Sequence, residues 1–125
     1  MKINREDERS ESVRISNTAK FTIRSLKHFA GSRIAQGNSW GEIIQLLKNV
    51  RHVSEMPEVT VLNPKQDKYP HSLLLGVFYK ELDKAIVLIL DAGDEPRDII
   101  SLHFKKRKDF EKLLCSADGG AAYPS

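Results

Sequence analysis

The 125-residue chain predicts an α+β domain: two N-terminal helices packed on one face of an antiparallel sheet of about four strands, then a short C-terminal helix. Three observations lead there. Apolar residues in the first half recur at helical spacing, at Ala19, Ile23, Leu26 and Ala30 and again from Trp40 to Val50. After Pro57 the apolar period changes to that of strands. The later apolar runs are joined by short connections, which make neighbours antiparallel. Helices first and strands afterwards segregate into layers rather than alternating as in a parallel α/β fold.

Residues 1–16 are polar and mixed in charge, and are expected to form a flexible arm or linker ahead of a single domain over residues 17–115. The first helix is expected from about Thr18 to Ala30, with Gly31 as its stop. Ala19, Ile23, Leu26 and Ala30 form its core stripe. At ~100° per residue, Lys20, Arg24, Lys27 and His28 gather on a neighbouring face. Ser39-Trp40-Gly41-Glu42 has the capping-box pattern and opens the second helix. Trp40, Ile43, Ile44, Leu47 and Val50 are expected to face the core, with Trp40 an anchor rather than a base-stacking platform.

Val59 to Leu62 reads as a short strand, followed by a loop over residues 63–71. Leu73 to Lys80 and Ala85 to Leu90 are apolar on both faces, so they belong at the centre of a sheet. The turn between them makes a hairpin. Asp91 to Arg97 forms another turn, and Ile99 to Phe104 is the last strand. Alternation puts Ile100, Leu102 and Phe104 on one face and Ile99, Ser101 and His103 on the other. The run Lys105, Lys106, Arg107 and Lys108 then crowds the expected N-terminus of the last helix, whose Phe110, Leu113 and Leu114 face the core. Cations there oppose the helix dipole, a conflict that a bound phosphate relieves. A solvated charge run is the plainer reading. Residues 116–125 are expected to be a loose tail.

Composition narrows the function. The net charge is +3. Residues 1–12 carry three basic and four acidic groups, so the remainder is more basic than the total suggests. Six acids fall between Glu81 and Asp98, concentrating positive charge elsewhere, as a polyanion partner would favour. The single cysteine, Cys115, forms no intrachain disulfide. No apolar run reaches the ~20 residues that span a bilayer. The N-terminus lacks the apolar core of a signal peptide. A cytoplasmic site of action is expected, for the chain alone or for a toxin fragment delivered there by a larger secreted protein. The histidines, His28, His52, His71 and His103, lack close ligand spacing, so neither a metal nor another cofactor is expected.

Ser101 and His103 on one strand face invite a chemical reading. Each alone is usually structural; together they require buried hydrogen-bond partners or a cleft. Ribonucleic acid is cleaved without a metal by a base that takes the 2′-hydroxyl proton, cations on the scissile phosphate, and an acid for the departing 5′-oxygen. His28 and His103 suit the acid and base roles. Arg24, Lys27 and Arg33 suit the cationic clamp, Ser101 a phosphate hydrogen bond, and Lys105 to Lys108 a more distant hold on RNA. A hydrolase triad of Ser101, His28 and Asp98 has no strand-turn-helix serine motif behind it.

Leu26-Lys27-His28 on the first helix and Ser101 before Leu102 on a late strand resemble the barnase–EndoU–colicin–RelE group of small ribonucleases, and within it the colicin D-type tRNA nucleases. The similarity spans roughly residues 18–114. By that resemblance Lys27 and His28 match the family's Lys-His pair and Ser101 its serine. The pattern departs at Ser25, where the family has a second lysine that Arg24 stands near, and at His103, where it has tryptophan. The resemblance implies an endoribonuclease acting on RNA, with tRNA a candidate substrate, to give a 2′,3′-cyclic phosphate. It also implies an immunity protein or antitoxin with an acidic surface. Two other readings use the same residues: a non-catalytic RNA-binding or protein-interaction module, and a toxin-neutralising partner, which the basic charge opposes.

Overall fold

The computed structural model describes residues 11–63 and 71–116. Among them are six strands in one mixed sheet and three helices, in the order β1 (Ser12–Arg14), β2 (Ala19–Thr22), α1 (Ile23–Ala35), α2 (Trp40–Glu55), β3 (Val59–Asn63), β4 (Ser72–Tyr79), β5 (Lys84–Leu90), β6 (Arg97–Lys106) and α3 (Arg107–Ser116). Across the sheet the strands run β1-β2-β6-β5-β4-β3. All neighbours are antiparallel except β2 and β6, which run parallel through Ala19↔Arg97 and Lys20↔Asp98. The α+β class and the β3–β6 meander agree with expectation. The strand count does not, because β1 and β2 were read as a flexible arm and a helical turn. Residues 1–10, 64–70 and 117–125, which include most of the expected arm, loop and tail, lie outside the described residues.

β2 is a strand because Ala19 and Phe21 alternate inward, at 0% and 2% exposure. Ala19 also fits a helical stripe with Ile23, so its own sequence does not separate the two; pairing with β6 does. Thr22 then caps α1. Its hydroxyl accepts from the Ser25 amide at 3.0 Å, and its own amide donates to Ser25 Oγ at 2.9 Å. With the start moved to Ile23, the helix passes through Gly31 and stops before Gly37, whose φ of +83° suits glycine. The core side also rotates. Phe29 and Arg33 are buried, while Leu26 of the expected apolar stripe is exposed, as is Ile34.

The Ser39 capping box forms as expected, with Ser39 N donating to Glu42 Oε1 at 2.9 Å and Glu42 N to Ser39 Oγ at 3.2 Å. α2 carries two adjoining apolar stripes. Ile43, Leu46, Val50 and Val53 are buried, whereas Trp40 is 66% exposed and Ile44 and Leu47 face solvent. Trp40 is therefore no core anchor. The buried stripe wins because it meets Leu75, Val77, Ile86 and Leu88 of the central strands. Each such side chain contributes about 1.5–3 kcal/mol on burial. A hydroxyl cluster ties the far end of α2 to the β1–β2 turn: Ser54 Oγ lies 2.7 Å and Thr18 Oγ1 3.1 Å from Ser16 Oγ.

The helices occupy both faces of the sheet, not one. α1 and α2 cover the face of Leu88, Leu90, Ile99 and Leu102. α3 covers the other through Phe110, packed with Val59, Ala85 and Phe78. Gly76 makes room for that ring, since a Cβ there would lie 2.7 Å from Phe110 Cε1.

Candidate active site

β2 pairs with β6 only over Arg97 and Asp98. Beyond that point β6 keeps β5 on one side, and α1, continuing from β2, lies beside its other edge. Between them is a cavity of about 250 Å³ lined by His28, Phe29, Ser32, Arg33 and Gln36 of α1 and by Ile100, Ser101 and Leu102 of β6. The α1 residues follow from one helical face, since His28, Ser32 and Gln36 stand four apart. Phe29 packs on Phe21, ring centroids 5.7 Å apart, and fixes the rotation of the helix. The volume lies below the ~300–1,000 Å³ usual for whole small-molecule ligands, so it suits a group such as a phosphodiester.

Register explains the β6 side. Ser101 pairs with Ile89, but Leu90 pairs with Ile99, so Ile100 is an extra residue in a bulge. The bulge returns Ile99 to the face of Leu102 and Phe104, where it is buried. Ile99 thus does not share a face with Ser101 and His103, contrary to simple alternation. Ser101 and His103 do share one, and Ser101 Oγ lies 2.8 Å from His103 Nδ1. Burial first, then the charges of Arg33 and Lys105, push the His103 pKa down to about 4. The ring is neutral near pH 7 and supplies no proton there. With hydrogen on Nδ1 it donates to Ser101 Oγ and leaves the hydroxyl proton for a ligand.

Arg33 is 8% exposed, and its Nε has no hydrogen-bond partner among the described residues. Burial lowers its pKa, yet a guanidinium stays protonated in proteins. No carboxylate pairs with it among the described residues, and a covered cation of this kind favours an anion as neighbour. His28 is exposed at the same cavity, its Nε2 3.5 Å from Ser32 Oγ.

The structure brings together His28, Arg33 and Ser101, with His103 behind Ser101. It does not bring in Lys27 or Arg24, which are exposed and absent from the lining: Lys27 is ~100° round the helix from His28, and Arg24 stands one turn before it, short of the cavity. The basic run also divides. α3 begins at Arg107, so Lys105 and Lys106 belong to β6 and do not crowd a helix terminus. Lys105 pairs with Ala85 and shares the face of Ser101 and His103; Lys106 pairs with Lys84 on the opposite face. Arg107 is held near Asp83 and Glu111, at 4.0 and 3.5 Å, and stacks over Phe78. Lys108 is exposed on α3. Asp98 pairs with Lys20 at 3.7 Å and does not line the cavity, which removes the serine hydrolase triad. Sequence reasoning missed Ser32 and Gln36, although their spacing from His28 was the available signal.

A larger cavity of about 450 Å³, lined by residues including Leu62, His71, Leu73 and Arg97, has mainly apolar walls. Thr60 lines it too, but among the described residues no hydrogen bond joins hydroxyl to imidazole there as one does between Ser101 and His103. No group of three or more metal-ligating side chains is gathered among the described residues. No helix there is long and apolar enough to cross a membrane. Comparison with family models, curated proteins and solved structures returns no match.

Proposed function

We propose that the chain is a toxin-like endoribonuclease that cleaves RNA, with tRNA a candidate substrate, by attack of the 2′-hydroxyl on the adjacent phosphate. One observation carries this reading: His28, Arg33 and Ser101 converge on one phosphate-sized cavity. Arg33 binds the scissile phosphate and offsets its added negative charge as the pentavalent state forms. Ser101, oriented by His103, donates to a phosphate oxygen. His28 takes the 2′-hydroxyl proton. The 2′-oxygen bonds to phosphorus, the bond to the 5′-oxygen breaks, and that oxygen is protonated from solvent at the open mouth. The products are a 2′,3′-cyclic phosphate and a 5′-hydroxyl. No step in this scheme calls on a metal. The assignment departs from a two-histidine scheme because His103 is neutral at working pH. The resemblance to the barnase–EndoU–colicin–RelE group supports the same chemistry, and with it an acidic immunity protein or antitoxin as partner and the cytoplasm as site of action.

The test is incubation of the purified chain with total tRNA and bulk RNA in EDTA, followed by gel and end-group analysis. Discrete fragments with cyclic-phosphate ends are expected from the natural chain and none from a folded His28→Ala variant. Intact RNA from the folded natural chain across several pH values overturns the reading. Arg24 and Lys27, exposed outside the cavity, favour a second reading as an RNA-binding module, which predicts salt-sensitive binding without scission.

A further inference from the structure

We infer that the site holds single-stranded RNA through two successive phosphates, one in the cavity at Arg33 and Ser101 and its neighbour at Lys105. This rests on the ribonuclease reading. Three observations on β6 carry it. The register puts Ser101, His103 and Lys105 in one row on one face of the strand. No strand flanks that row on the α1 side, because β2 pairs with β6 no further than Asp98. Neither Arg33 nor Lys105 has an acidic partner among the described residues, whereas Lys20, Arg51, Lys84 and Arg107 each do. Both cations also lie close enough to His103 to disfavour its protonation.

Dimensions fit. Four strand residues separate Ser101 from Lys105 by ~13 Å along β6. The flexible four-carbon stem of lysine is long enough to close that gap to about one nucleotide step. Two fixed cations one step apart read backbone charge and no base, so the arrangement selects conformation over sequence. Attack by the 2′-hydroxyl needs the 2′-oxygen, phosphorus and 5′-oxygen in line. A regular A-form helix denies that alignment, and unpaired segments permit it.

The experiment measures binding by fluorescence anisotropy with a non-cleavable 2′-O-methyl single-stranded oligonucleotide. Each phosphate is replaced in turn by an uncharged methylphosphonate. The natural chain is expected to lose about fivefold or more in affinity at each of two adjacent positions. Lys105→Ala is expected to bind about fivefold more weakly and to become insensitive at one of them, with the salt slope reduced by about one phosphate contact. Lys105→Arg should restore that sensitivity, and Lys106→Ala, on the other face, should leave it intact. A duplex of the same sequence should bind at least tenfold more weakly. Undiminished methylphosphonate sensitivity in Lys105→Ala, or equal binding of duplex and single strand, overturns the two-phosphate inference while leaving any observed cleavage in place. Absence of all RNA binding and cleavage overturns both.

Discussion

At the scale of single residues, His103 makes the most direct prediction. Its pKa falls from 6.5 in the open chain to about 4 in the fold. Above about 6.5 the ring is neutral in both states, and its contribution to stability is whole. As pH falls through that window the unfolded chain takes up the proton and the folded one resists it. The contribution is therefore lost progressively, and is gone below about pH 4. Urea denaturation at pH 7 and pH 4 should show the natural chain losing on the order of 2 kcal/mol more stability than His103→Gln. Parallel losses would remove the basis for a neutral His103. Arg33 predicts the opposite balance between stability and activity. Arg33→Met should keep or raise the midpoint of unfolding, since it removes a covered charge without a partner. Its cleavage rate should fall by about a hundredfold or more, because the phosphate loses its cation. Loss of stability equal to loss of activity would make Arg33 structural. His28 and Ser101 were legible in the sequence because imidazole and hydroxyl stand out on their elements. Lys27 stands outside the cavity lining because adjacency in sequence is ~100° of rotation on a helix. The neutral state of His103 was not legible, since it depends on burial and on Arg33 from a distant helix.

Local signals fared best at the scale of elements. The Ser39–Glu42 box needs only four residues of one turn, so it was readable directly. The phase of α1 was not, because its start depends on whether Ala19–Thr22 finds a strand to pair with. The two stripes of α2 were equally periodic, and only the sheet beneath chose between them. The Ile100 bulge had no sequence signal at all, yet it aims the row of Ser101 and His103. Deleting Ile100 should restore plain alternation and either shift Ile99 out of the core or turn Ser101 into it. Either way cleavage should be lost, while circular dichroism still reports the sheet. Gly76 offers a test of the opposite sheet face. Gly76→Ala should cost about 1–3 kcal/mol, because the new methyl group meets the buried Phe110 ring and the Val59 side chain. The Thr22→Ala cap change should cost about 1 kcal/mol. Its effect should fall on the α1 wall of the cavity as well as on stability, readable as a raised KM.

At the scale of the whole molecule, class and meander were legible because the β4 and β5 runs are apolar on both faces, which only a covered central strand tolerates. The mixed topology was not. One short parallel pairing, between segments nearly eighty positions apart, leaves no local trace. That pairing has a consequence in time. His28 and Arg33 are made well before Ser101 and His103. Contacts of such long sequence separation form late, after local helices and hairpins have given them a surface. A nascent chain therefore carries only the α1 wall of the cavity until β6 has been made. On the ribonuclease proposal, cleavage of neighbouring RNA begins only once β6 is released and folds.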